Sequence, residues 1–291
     1  MEKLKILGAG LSLAMAGAVA YDNTHFRTTE YTISSSKLPQ SFEGKKILQL
    51  SDLHQRQFGN NQKKLVEQCK KEKPDYIVFT GDLYSRNQSF DEICRKHIFM
   101  RELRKTAPVY YILGNHEEET LSKAEPFIDL LEYDGINVLR NELSRIYIGD
   151  EFINLYGLEI GKEYYKSENN SYRNLPQITA DNLDKAFGKA EKDQFNILLA
   201  HSPFYFKEYE KWGADLVFSG HCHGGVIRLP VIGGVLSPQR TFFPEYTKGV
   251  YRHKNSAMIV SAGLGKFRAF NPAEIVSVTL KADRKKDSKN V

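Results

Sequence analysis

Cysteine is scarce in this chain. Cys69, Cys94 and Cys222 form an odd, widely spaced set, which supports neither a disulfide framework nor a CxxC metal knuckle. Cys69 and Cys94 read as small buried hydrophobes. Net charge is scarce too. The formal +5 sits mostly at the ends: Lys281–Val291 carries five Lys or Arg against two Asp, the first twenty residues add one positive charge, and the 260 residues between them sum to +1. A basic groove tracking a phosphate backbone leaves a larger footprint, so charge gives no clear nucleic-acid signal. Long apolar runs are also missing, apart from an uncharged stretch of 15 residues, Ile6–Ala20, that follows Lys3 and Lys5. It falls short of the roughly 18 residues of a full membrane span. With its Ala18-Val19-Ala20 ending it reads as an export signal cleaved before Tyr21, or as a short uncleaved anchor. Lysines held on the cytoplasmic side would place the rest of the chain on the outer side of the membrane. A buried apolar helix is the competing reading.

What is present is ordinary for a folded protein: 41% hydrophobic and 26% charged residues over 291 positions, enough for one sizeable domain with its own core. After a polar lead-in, Tyr21–Gln40, short aliphatic runs alternate with helical patterns, which predicts an α/β fold. Lys46–Ser51 leads into Asp52-Leu53-His54, Tyr76–Thr80 into Gly81-Asp82, and Val109–Leu113 into Gly114-Asn115-His116-Glu117. Gln62–Glu72 and Asp91–Lys105 have apolar residues at helical spacing and read as crossover helices. Ile136–Leu139, Arg145–Ile148 and Phe152–Leu158 predict strands of a second, partly antiparallel sheet. Asn196–Ala200 then leads into His201-Ser202-Pro203, and Leu216–Ser219 into Gly220-His221-Cys222-His223-Gly224-Gly225. Residues 257–261 and 275–280 read as closing strands. The polar stretch 161–177 and the Gly-, Pro- and aromatic-rich stretch 233–248 read as surface loops beside the site, suited to substrate recognition.

Every polar motif ends a strand, where open α/β sheets place ligand-binding groups. Five of the eight histidines, His54, His116, His201, His221 and His223, fall there beside Asp, Asn or Gly. Imidazole and carboxylate donors together suit Mn, Fe or Zn, and one carboxylate can bridge two cations about 3.5–4 Å apart. Asp52 and His54 are two apart, so on a strand end both can face one ion; His221 and His223 are again two apart, so each can reach the site while Cys222 points away. Gly81 removes a side chain where backbone and metal come close.

The series SDLH, GD, GNHE, HSP and GHCHGG resembles the calcineurin-like metallophosphoesterase superfamily, with all five blocks present and in order between Asp52 and Gly225. Downstream, RLPVIGG, YTKGVY, SAGLG and NPAEIVSVTL resemble its membrane-associated or exported bacterial branch. The resemblance implies a fold of two mixed β-sheets packed as a sandwich and flanked by helices. It also implies two divalent metal ions, one held by Asp52, His54, Asp82 and His223, the other by Asp82, Asn115, His201 and His221, with Asp82 as the bridge. His116 is then a catalytic residue beside the phosphate, stabilising charge or protonating the leaving oxygen, and Glu117 orients it. The chain divides into 1–20 as signal peptide or short anchor, 21–44 as linker and lead-in, 45–280 as the metallophosphoesterase domain, and 281–291 as a basic solvated tail.

The protein phosphatase branch continues its second motif as GDxVDRG, whereas this chain runs Gly81-Asp82-Leu83-Tyr84-Ser85-Arg86-Asn87. The missing second Asp counts against phosphoprotein substrates. Arg86 and Arg56 read equally well as phosphate contacts and as ordinary surface arginines. The apolar N-terminus and the aromatics Phe242, Phe243 and Tyr246 favour a phosphodiester or pyrophosphate linked to a lipid or envelope component. A nuclease, a phosphomonoesterase and a non-catalytic metal-binding scaffold are the alternatives.

Overall fold

Two six-stranded sheets carry the chain. The first runs in the order β1 (Phe26–Ser35), β14 (Ala273–Ala282), β2 (Lys46–Leu50), β3 (Tyr76–Thr80), β4 (Val109–Ile112) and β5 (Asn137–Val138). The second runs β12 (Gly249–His253), β13 (Ser256–Val260), β9 (Leu216–Ser219), β8 (Asn196–Ala200), β7 (Glu151–Leu158) and β6 (Glu142–Ile148). A two-stranded ladder pairs β10 (Arg228–Leu229) with β11 (Gly233–Gly234). The computed structural model describes residues 16–17, 19–169, 171–225, 228–229, 233–237, 239–266 and 270–283. The signal or anchor reading of residues 1–20 and the solvated-tail reading of 281–291 therefore fall almost wholly outside the described residues. Among the described residues no helix is long and apolar enough to cross a membrane.

The apolar runs of the central strands follow from cover on both faces. In β2, Ile47 faces the other sheet, while Leu48 and Leu50 face the helices outside. In β8, Ile197 and Leu199 face inward, and Leu198 and Ala200 pack toward the helices at Ala180–Phe187 and Phe206–Trp212. This period of two sets three layers of core. The inner layer joins Ile47, Val78, Ile112, Val276 and Val278 of the first sheet to Ile153, Leu155, Ile197, Leu199, Phe218 and Ile259 of the second. That is the expected sandwich of mixed sheets.

Strands β2 to β5 are parallel, so each connection crosses over through helix. The predicted helix 62–72 begins at Lys63, because Gln62 sits at φ 60° and turns its amide back onto Phe58 N and Arg56 O. The predicted helix 91–105 is two, Phe90–Cys94 and Lys96–Arg104, the first opened by a capping box between Ser89 and Glu92. Two further expectations are corrected. The strand at 136–139 is not in the second sheet: a helix at Leu121–Tyr133 carries the chain over so that β5 lies parallel beside β4. Within the lead-in, residues 26–35 form β1, paired with β14 along all ten positions.

Candidate metal centre

The polar motifs meet where both sheets end. Asp52 and His54 follow β2, Asp82 follows β3, and Asn115 and His116 follow β4. His201 follows β8, and His221 and His223 follow β9. Beneath them Gln49 ties the sheets, donating from Nε2 to Thr80 Oγ1 at 3.0 Å and to Ser219 O at 2.9 Å.

The backbone at the donors is unusual. Asp52, His54, Asp82, His221 and His223 have φ of 51°, 51°, 54°, 66° and 50°, the left-handed region that L-residues avoid. Each such residue costs roughly 1–2 kcal/mol, so five of them cost on the order of 5 kcal/mol or more, comparable to the net stability of a whole domain. Strain on that scale collects where function demands it. It also revises why the i, i+2 pairs converge. They do so through left-handed turns beyond the strand ends, with Cys222 directed into the outer core as expected. Glycine makes the turns possible: a Cβ on Gly114 would lie 2.3 Å from Asp82 Oδ1, and one on Gly81, at φ 88°, would lie 2.7 Å from Gly114 and from His201 Nδ1.

The donor atoms form two overlapping groups. Donors of Asp52, His54, Asp82 and His223 all lie within 4.8 Å of one another, with His54 Nε2 3.4 Å from His223 Nε2 and 3.7 Å from Asp82 Oδ2. In the second group Asn115 Oδ1 is 3.2 Å from His201 Nε2 and 2.9 Å from His221 Nδ1, and His201 Nε2 is 3.5 Å from Asp82 Oδ2. The same Asp82 oxygen thus faces both groups. Burial lowers the pKa of His54 to about 3 and holds His221 well below the usual histidine range, which leaves both rings neutral with lone pairs available. Burial opposes ionisation of Asp82, but its histidine neighbours, His116 and His201 foremost, outweigh it and hold that carboxyl well below the usual range. Against burial, Asp82 and Asp52 raise the pKa of His201 to about 9, so this ring answers the two carboxylates it faces, while the lone pairs of Asn115, His54 and His221 converge on the same space, an arrangement that a cation satisfies. The mixed O/N set suits a hard-to-borderline divalent ion. The residues therefore fit the two metals expected of them.

His116 sits apart, its Nε2 3.9 Å from Asp82 Oδ2. Its Nδ1 accepts the Arg86 backbone N–H at 2.9 Å, which leaves Nε2 as the protonated nitrogen. Glu117 does not orient this ring, contrary to expectation. Its carboxylate accepts from Asp82 N and Gly114 N, both at 2.9 Å, and from Tyr84 N at 3.3 Å, so it stitches the second motif to the third. Both act through backbone contacts that no side-chain pattern records. Around the metal donors a cavity of about 100 Å³ is lined by Arg86, Glu119, Tyr165, Lys166, Tyr172 and Gln239, most of them from the two predicted recognition loops. Arg86 and Lys166 both pair with Glu119 Oε2, Lys166 at 2.6 Å, and the buried Tyr165 hydroxyl has no hydrogen-bond partner among the described residues. Arg56 is buried against Phe58, its Cζ 4.8 Å from the ring centroid, which removes it from the candidate phosphate contacts.

The sequence model described as "Calcineurin-like phosphoesterase" matches residues 45–225. The uncharacterized metallophosphoesterase YkuE of Bacillus subtilis is 30% identical over 277 residues, covering 91% of this chain and 90% of its own. A metallophosphoesterase of Aquifex aeolicus is 30% identical over 281 residues, covering 92% and 97%. The UDP-2,3-diacylglucosamine pyrophosphatase LpxG of Chlamydia muridarum is 26% identical over 288 residues, covering 82% and 85%.

Proposed function

The chain belongs to the calcineurin-like phosphoesterase family and is a metal-dependent phosphohydrolase, and on that premise we propose that it cleaves a phosphodiester or pyrophosphate bond in a membrane- or envelope-linked substrate, working on the outer side of the cytoplasmic membrane. The observation that carries the phosphoryl chemistry is Asp82 Oδ2 facing both donor groups. Asp52, His54, Asp82 and His223 would hold one ion, and Asp82, Asn115, His201 and His221 the other. Two such ions supply an activated water at neutral pH and Lewis-acid stabilisation of the phosphoryl oxygens.

The rest falls to the protein. His116 offers its Nε2–H to a phosphoryl oxygen. The Arg86 amide on Nδ1 orients the ring so that Nε2 is the donor, placed for charge stabilisation. Glu117 keeps the Asp82 and Gly114 turns in register. Arg86 and Lys166, paired through Glu119 at the rim, supply positive charge beside the phosphoryl position. A cavity of about 100 Å³ admits a phosphoryl group and leaves the remainder of a large substrate outside. The envelope-linked part of the reading draws support from the run Ile6–Ala20 and from the name of the Chlamydia relative.

The test compares turnover of bis(p-nitrophenyl) phosphate, p-nitrophenyl phosphate and a lipid-linked pyrophosphate after chelation and metal add-back. The expected result is metal-restored activity that favours the lipid-linked substrate. Activity confined to the monoester would sink the substrate assignment.

A further inference from the structure

Two apolar features converge on the mouth of the metal site. The first is a pair of adjacent aromatics: Phe242 is 68% exposed and Phe243 63%, while their neighbour Tyr246 is buried against Phe206 and Tyr251. The backbone that presents them is tied to itself. Phe243 N donates to Val235 O at 2.9 Å, Ser237 N to Thr241 O at 3.0 Å, and Arg240 N to Ser237 O at 2.9 Å, while Phe242 bridges to Leu236. Phe243 is held at φ 48°. Two large rings are thus pushed into solvent at a conformational cost, on a loop with three backbone N–H groups bonded to its own carbonyls, which reduces the peptide groups left unpaired where the loop meets an apolar medium. The same loop carries Gln239 on the wall of the metal cavity, and the exposed Arg240 lies 5.8 Å over the Tyr172 ring that also lines it.

The second feature is where the apolar run Ile6–Ala20 ends. Asp22, buried, accepts the Asn271 N–H at 2.8 Å, and Asn271 Nδ2 donates to His223 O at 2.5 Å and to Gly225 O at 3.2 Å. Two hydrogen bonds therefore connect the foot of that run to a proposed metal ligand. Gly225 in turn packs on Gly234, where a Cβ would lie 2.5 Å from the Gly234 Cα, at the start of the aromatic loop.

We propose that this face, with Phe242, Phe243 and Arg240 beside the exit of the N-terminal apolar run, docks on a phospholipid bilayer and presents the metal site to the headgroup layer. Apolar rings flanked by a cationic side chain match an interface of acyl chains and anionic headgroups. The inference rests on the membrane reading proposed above and deepens it by naming the face.

The test uses the full chain with Phe242→Trp. Trp212, the only native tryptophan, is packed against Tyr156 and Phe187 and donates to Gly188 O, so it serves as a built-in control. With vesicles of phosphatidylcholine and phosphatidylglycerol carrying brominated acyl chains, the expected result is flotation of the chain, quenching of the indole introduced by Phe242→Trp, and no added quenching in the parent. Flotation without that quenching overturns the docking face and leaves the anchor reading standing. Absence of flotation overturns both. An introduced indole already shielded before lipid is added, in proportion to protein concentration, overturns the proposal in favour of a second copy of the chain. A Phe242→Ser/Phe243→Ser variant is expected to lose roughly tenfold or more turnover on a vesicle-embedded lipid phosphodiester with none lost on bis(p-nitrophenyl) phosphate. Equal loss on both would assign the rings to folding instead.

Discussion

The floor of the site and its rim are built by different means. The floor is made of strand ends from two sheets, with donors that are mostly buried and backbone turns that only glycine neighbours permit. The rim is made of the loops at 161–177 and 233–248, where charges pair locally and aromatics stand in solvent. Strain on the floor has no local remedy and must be offset by the sandwich beneath and by bound cations. At the rim, short loop hydrogen bonds suffice. Rate is therefore expected to reside in the floor and substrate preference in the rim.

The strongest way to break that division is Asp82→Asn. Loss of the carboxylate that lies closest to both donor groups is expected to lower kcat by at least about 10³-fold on every substrate and to remove bound metal, measured by elemental analysis of the purified variant. Near-normal turnover with both metals retained would overturn the bridging assignment. His116→Gln comes next, with a loss of about 10²–10³-fold in kcat at unchanged metal content. A charge-stabilising role leaves the shape of the pH–rate profile unchanged, whereas disappearance of a limb would restore the proton-donor role. The smallest change is at the rim: Lys166→Ala is expected to raise KM roughly three- to tenfold for a pyrophosphate or diester while kcat stays within twofold or so, since Arg86 remains on Glu119. An equal fall in kcat on all substrates would erase the distinction between the two regions.

Most of the floor was legible in the chain because donors of the right chemistry follow aliphatic runs directly. The run KILQL before Asp52 and NILLA before His201 could be read as strands without knowing the fold. β1 was not, because FRTTEYTISS has mostly half-exposed residues and only Ile33 buried. It is an edge strand whose partner lies almost 250 residues away. β5 was placed in the wrong sheet because two residues carry too little pattern to specify a partner. Glu117 looked like a support for His116 because it is adjacent in sequence, yet its carboxylate faces three backbone amides, Asp82 N and Tyr84 N of the second motif and Gly114 N of its own turn. Among the cysteines, Cys69 and Cys222 are buried as apolar residues, while Cys94 is only half-buried.

The sequence by itself determined the donor chemistry and its place at strand ends, since both depend on residue identity and on periodicity over a few positions. Tertiary structure alone decided which donors share a cavity. His54 and His223 meet at 3.4 Å across 169 residues because two sheets pack face to face, and no local pattern encodes that distance. It also decided which nitrogen of His116 carries the proton, because the deciding group is a backbone amide thirty residues upstream, brought there by the pairing of β3 with β4.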